Sequence, residues 1–218
     1  MVKPINRLEP GKMTFGKPGE TMSIGKSLLC LDIGFSNMGY SVFQRGKLWV
    51  QGLIITKKSE KKNVRVSDDY ANRCAALAHQ LKALCNSIHL VGICAELPSG
   101  TQNARAASQM GMAIAVVATI AFFLNLPIEY YTAQEVKIAV SGKKNASKEE
   151  IKLAIADKFN FIRTTKEIKI TKGKRVGKTT VQETYSIGTN KYNGGDFEHI
   201  ADSIGVFLAA GHNNLARM

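Results

Sequence analysis

Acidic residues are scarce in this 218-residue sequence, and long apolar runs are missing. Residues 1–26 hold no continuous apolar stretch, so they do not read as a secretory signal. The most apolar segment, 111–126, is short for a membrane span and rich in Ala and Gly, so it reads as a buried helix and no membrane partner is expected. Of the four cysteines, Cys30, Cys74, Cys85 and Cys94, no two form a Cys-x-x-Cys pair, which argues against a zinc ribbon. Cys30 and Cys94 fall in apolar, strand-like runs, where a free thiol behaves as a small buried hydrophobe. Unpaired thiols suit a reducing compartment, and a cytoplasmic location is the expectation. Internal repeats and long low-complexity tracts are absent as well. Against 17 Asp and Glu stand 30 Lys and Arg, a net charge of +13. A surplus of that size points to a polyanionic partner, most often nucleic acid.

Three of the five prolines (Pro4, Pro10, Pro18), four glycines and five basic residues crowd into 1–26. That composition reads as a basic, disordered arm, with one ordered domain over 27–213. SLLCLDIG (27–34), MGYSVF (38–43) and KLWVQGLIIT (47–56) predict three antiparallel strands, with Arg45-Gly46 as a hairpin turn. A helix follows over 67–89, with Ser67 as its N-cap and Leu77, Leu81 and Leu84 on one face. LVGICAE (90–96) is a buried strand, 103–124 a long helix, and LPIEYYT (126–132) a fifth strand. Short helices are predicted over 133–140 and 147–158, the second opened by Ser147 and Glu150 in capping-box spacing. Residues 160–193 break this rhythm: EIKIT (167–171) and TVQETYSI (180–187) read as two strands joined by the basic turn KGKRVGK. A last helix runs from Phe197 to Gly211, capped by Asp196. The expectation is therefore an α/β fold, a mixed five-stranded sheet flanked by helices with a basic β-hairpin insertion at 160–193. The order βββαβαβα is the RNase H-like arrangement.

Three carboxylates stand at telling places. Asp32 closes the first strand, Glu96 closes the fourth, and Asp202 lies in the last helix with His199 one turn earlier on the same face. Singly, each has an ordinary explanation: a turn residue, a strand end meeting solvent, polar positions on an amphipathic helix. Together they suit hydrolysis of a phosphodiester by two hard divalent ions, since Mg²⁺ and Mn²⁺ take oxygen ligands and tolerate an imidazole. Carboxylates gathered at converging strand ends would be costly without cations.

LCLDIGFSNMGYSVF (29–43), AELPSGTQNARAASQMGMAIAVV (95–117), IEYYTAQEVKIAVSGKKNASKEEIKLAI (128–155) and HIADSIGVFLAAGH (199–212) resemble the RuvC-type Holliday junction resolvases. The resemblance spans the ordered region apart from the insertion. It implies a metal-binding, catalytic quartet of Asp32, Glu96, His199 and Asp202, holding two Mg²⁺ ions per site, with Mn²⁺ as substitute. Asp32 would bridge the two ions, Glu96 would lie on one side, and His199 and Asp202 on the other. His199 could instead carry a proton or position the water. Lys137 and Lys148 look like the family's phosphate contacts. A homodimer cutting opposed strands of a four-way DNA junction by paired nicks is implied, in DNA recombination, repair or phage DNA processing. The small-residue helix over 103–124 resembles part of the family's dimer interface, though internal packing explains the same composition. Two departures stand out. Ser99 occupies the position where bacterial members often carry an aromatic wedge. The insertion and the arm are more typical of phage, viral or organellar relatives, so a bacteriophage origin and a bacterial host cytoplasm are expected.

Between Lys143 and Lys178 twelve basic residues face four acidic ones, most of the net charge. Lys143, Lys144, Lys172, Lys174, Arg175 and Lys178 are therefore expected to follow a DNA arm through its phosphates. Three alternatives remain. An ATPase of the actin and sugar-kinase type also opens with Asp-x-Gly, but needs a second such domain and phosphate loop, for which there is no room. A non-catalytic module binding branched DNA has no need of four ligands. A broader nuclease cutting forks and flaps as well as junctions is the nearest rival, given Ser99.

Overall fold

The computed structural model describes residues 26–98, 100, 103–169 and 179–211. Strands β1 (Ser27–Asp32), β2 (Asn37–Gln44) and β3 (Lys47–Ile55) form an antiparallel meander. Its tight turn places Arg45 at φ 51 and Gly46 at φ 75, the pair of positive values a two-residue hairpin prefers. Helix α1 (Val66–Asn86) crosses over to β4 (Leu90–Leu97), and α2 (Ala104–Phe123) to β5 (Ile128–Thr132). Both strands run parallel to β1, giving the sheet order β3-β2-β1-β4-β5. Helices α3 (Ala133–Ser141), α4 (Lys148–Lys158) and α5 (Gly194–Ala210) complete the chain. This is the expected mixed five-stranded sheet.

Alternation along β1 divides the core in two. Leu28 and Cys30 join Phe43, Cys94, Val136, Ile155, Ile200 and Ile204 on the face covered by α3, α4 and α5. Leu29 and Leu31 join Met38, Val42, Leu77, Leu81, Ile93 and Val117 on the face covered by α1 and α2. β1 is central and buried from both sides, which is why its sequence is a continuous apolar run. All four cysteines are free thiols, three of them buried.

Several expectations need correction. α1 starts at Val66 with Arg65 as N-cap and no side-chain cap bond, so Ser67 lies inside the helix rather than capping it. Asn193, not Asp196, caps α5: its Oδ1 accepts from the Asp196 N–H at 2.9 Å. Helix α2 is not buried all round. Ala113, Val117, Ile120 and Ala121 are its buried positions, whereas Phe122 and Phe123 are 77% and 74% exposed. By length and hydropathy α2 would suffice to cross a membrane, but its inner face is engaged with α1 and the sheet.

The insertion is a separate sheet of three antiparallel strands, β6 (Ile162–Lys169), β7 (Thr179–Ile187) and β8 (Asn190–Asn193). β6 begins five residues before the expected strand, because every residue in it is exposed and no apolar alternation announces it. The sheet is fastened by β7: the Tyr185 ring stacks on Phe197 of α5 with centroids 4.0 Å apart. Lys152 of α4 bonds Glu149 and Glu183, each at 2.8 Å, and Arg163 of β6 reaches the same two carboxylates. The turn carrying Lys172, Lys174, Arg175 and Lys178 lies outside the described residues, as do Ser99 and the arm over 1–25.

Candidate active site

Parallel pairing of β1 with β4 sets Asp32 directly beside Glu96, two positions on from the buried pair Cys30 and Cys94. The two-residue period therefore turns both carboxylates to the α5 face of the sheet, at the carboxyl ends of its central strands. Here the chain leaves β1 toward β2 on one side while β4 lies on the other, the kind of switch point where open α/β sheets bind ligands.

Helix α5 comes down onto this point because of a glycine. Gly39 pairs with Asp32 across the β1–β2 ladder, and a Cβ at Gly39 would lie 2.0 Å from the carbonyl oxygen of His199. Any side chain there would lift the helix. With none, His199 Nδ1 donates to Asp32 Oδ2 at 2.7 Å, and Asp202 follows one turn later on the same face. On its other side α5 is seated by Gly205, where a Cβ would meet Val136 at 2.8 Å and Val140 at 3.0 Å.

The electrostatics follow from that convergence. Burial, and next the charge of Asp32, push Glu96 up to about 7, opposed by Lys137 and Lys148. Asp202 is held well above the ordinary carboxylate range by burial, then by Asp32, Glu96 and Glu198. The hydrogen bond to Asp32 raises His199, against burial. Glu96 and Asp202, each raised by burial and by neighbouring carboxylates, form with Asp32 a donor set that a divalent cation would relieve. Among the described residues no three His, Cys, Asp or Glu side chains stand ready at metal-ligand spacing. The donor chemistry fits hard divalent ions, and of the four side chains His199 and Asp32 are already in contact.

Lys137 on α3 and Lys148 at the start of α4 both favour the ionised form of Glu96, so the structure brings both expected lysines to the site. Their helices are placed by two capping boxes, Thr132 with Glu135 and Ser147 with Glu150; the first has the same spacing as the second but was missed in the sequence. Lys148 is ion-paired with Glu198 and also feels Asp202 and Asp32. Glu198 is a site residue that the sequence reading missed, its one signal being its place beside His199. Lys143 and Lys144 are exposed in the α3–α4 connection, and Lys143 is tied to Glu150 at 3.3 Å.

A protein-family model described as crossover junction endodeoxyribonuclease RuvC matches residues 28–172. Among solved structures, Thermus thermophilus RuvC in complex with Holliday junction substrate overlays with a TM-score of 0.59 at 17% identity, covering 85% of this chain and 92% of that one. A second Thermus thermophilus RuvC structure overlays with a TM-score of 0.57 at 16% identity, covering 85% and 93%. At such identities the overlays speak for the fold, which is RNase H-like. No curated protein matches the chain by sequence.

Proposed function

The chain belongs to the crossover junction endodeoxyribonuclease RuvC family, and from that premise we propose that it is a divalent-metal-dependent endonuclease that resolves four-way DNA junctions. The observation that carries this reading is the pairing of Asp32 with Glu96 at the ends of β1 and β4, with α5 laid against them at Gly39. Asp32, Glu96, His199 and Asp202 would hold the ions. With Mg²⁺ or Mn²⁺ bound, the site gains Lewis-acid activation of water and stabilisation of the leaving 3′-oxygen.

The chain's own groups have distinct tasks. The three carboxylates supply hard oxygen donors. His199 commits Nδ1 to Asp32, which leaves Nε2 as the nitrogen to take up a metal or a proton. Lys137 and Lys148, on the Glu96 side, offset the charge of an incoming phosphodiester. Paired nicks require a homodimer, and the outer face of α2 is the surface we assign to it. Ala107, Ser108, Gly111, Ala115, Thr119 and Phe122 are exposed there, Ser108 to Phe122 following at three- and four-residue spacing. A Cβ at Gly111 would meet nothing, so no contact within the protomer demands that glycine.

Cleavage of end-labelled four-way junction, Y-fork, flap and linear duplex in Mg²⁺, Mn²⁺ and EDTA tests the proposal. Symmetric paired nicks on the four-way junction, lost in EDTA, are expected. Equal cutting of forks and flaps would make the enzyme a general debranching nuclease. No cutting of branched DNA in either metal would overturn the nuclease reading in favour of a binding module.

A further inference from the structure

The charge counted along the sequence and the charge left unpaired in the fold coincide only in part. Within 143–169, the described part of the 143–178 stretch expected to carry the DNA contacts, Lys143, Lys148, Lys152 and Arg163 are each ion-paired with Glu149, Glu150, Glu183 or Glu198, while Lys144, Lys158, Lys166 and Lys169 are exposed and in no ion pair among the described residues. The β3–α1 loop, TKKSEKKNVR over 56–65, adds a second, more compact group. Lys57, Lys58, Lys61 and Lys62 are exposed, and among the described residues no ion pair engages any of them.

This loop is built rather than loose. Its base is held by the Thr56 hydroxyl donating to the Phe35 carbonyl at 2.6 Å and by Arg73, buried, donating to Thr56 Oγ1 at 3.0 Å and Ser36 Oγ at 2.6 Å. Its middle is pinned where the Ser59 N–H donates to Asp69 Oδ1 at 2.7 Å. Between the loop, the first turn of α1 and the start of α2 lies a cavity of about 230 Å³. Lys58, Lys61, Lys62 and Arg105 line it against Glu60 and Asp69. Asp69 is buried and already receives the loop's N–H. Arg105 is held toward the cavity by its Nε donating to the Tyr70 hydroxyl at 2.9 Å.

The cavity shares a sheet end with the carboxylates. β3 runs parallel to β1, so the loop leaves the sheet at the same end at which Asp32 and Glu96 close β1 and β4. The loop is moreover bonded to residues 35 and 36, in the turn that follows Asp32. Lys137 and Lys148 lie on the α5 face of that end; the cavity lies on the α1–α2 face. We propose that the cavity binds a backbone phosphodiester of the DNA substrate, so that basic side chains grip the DNA on both sides of the carboxylates. The inference rests on the endonuclease reading above and adds a binding site to it.

The test is the affinity of the full chain for a labelled four-way junction in EDTA as a function of salt. Lys58→Ala/Lys61→Ala/Lys62→Ala is compared with wild type and with Lys47→Ala/Lys82→Ala/Lys158→Ala. The second triple removes equal charge: Lys47 opens β3 at the opposite sheet end, and Lys82 and Lys158 lie late in α1 and α4. Each phosphate contact contributes about 0.9 to the slope of log K against log salt. The loop triple is expected to bind at least about tenfold more weakly near 0.1 M salt, with a slope shallower by about 2 to 3, while the control stays near wild type. A loop triple with wild-type affinity and slope, or a control that loses as much, would overturn the cavity assignment while leaving junction cleavage by the wild type intact. Wild-type protein that neither binds nor cuts branched DNA would instead bring down the endonuclease reading, and this inference with it.

Discussion

Two clusters of ionisable groups sit about α5, and they are arranged in opposite ways. At the end of the central sheet Asp32, Glu96 and Asp202 converge, opposed by His199 and by Lys137 and Lys148 at the edge, and Glu96 and Asp202 rise above their ordinary range. Where the small sheet docks, Glu149 and Glu183 meet Lys152 and Arg163, and Glu183 is drawn down to about 2 by its bonds to Lys152 and then Arg163. Acids crowded together with too little cation make a site that waits for a ligand. Acids matched by bases make a joint. The first arrangement works against the stability of the metal-free fold; the second contributes to it.

The largest expected effect is on chemistry. Asp32→Asn should lower single-turnover junction cleavage by at least about a thousandfold, roughly 4 kcal/mol, while junction affinity in EDTA stays close to wild type. A variant retaining full cleavage would break the division between site and joint. Next is Glu183→Ala, which leaves Lys152, only 11% exposed, and Arg163 to share Glu149 alone. Breaking a buried pair from one side costs about 3 kcal/mol, read as a fall in the urea midpoint. Lys152→Met should cost less, because Glu183 keeps Arg163.

The pH dependences should run in opposite senses. Glu96 is raised from 4.5 to about 7, so its contribution in metal-free protein is present below pH 4.5 and lost as pH rises through 7. Glu96→Gln should then be the more stable protein at pH 8 in EDTA, by about 1 to 3 kcal/mol. Glu183 is lowered from 4.5, so its contribution is present above 4.5 and lost as pH falls toward 2. Thermal unfolding against pH for wild type, Glu96→Gln and Glu183→Gln separates the two. The smallest effect is ligand-linked: Mg²⁺ at 10-fold its Kd should stabilise wild type by about 1.4 kcal/mol, raising Tm at pH 8. The same addition should leave Asp202→Asn almost unmoved.

Much of this was legible in the residues. β1 and β4 announce themselves as apolar runs that close on Asp32 and Glu96, and the Ser147 and Glu150 spacing opens α4 correctly. The misreadings have physical causes. Asn193 and Asp196 are both good caps three residues apart, and Gly194-Gly195 between them looked like a break when it is the first turn of α5. The start of β6 was placed five residues late because an entirely exposed strand has no hydrophobic period to read. The charge excess over 143–178 pointed to one DNA surface, but a count along the chain cannot reveal that Glu198 lies across from Lys148 and Glu183 across from Lys152 and Arg163.

The sequence by itself determined the alternation of strands and helices, the carboxylates that end the central strands, and the net positive charge. These depend on neighbours a few residues apart, and periodicity records them. Only the tertiary structure decided which charges are spent on one another, that Gly39 makes room for His199 at Asp32, and that the β3–α1 loop shares the sheet end with the carboxylates. Those facts join residues far apart in the chain, and electrostatic energies depend on separation in space and on burial, which no spacing along the sequence carries.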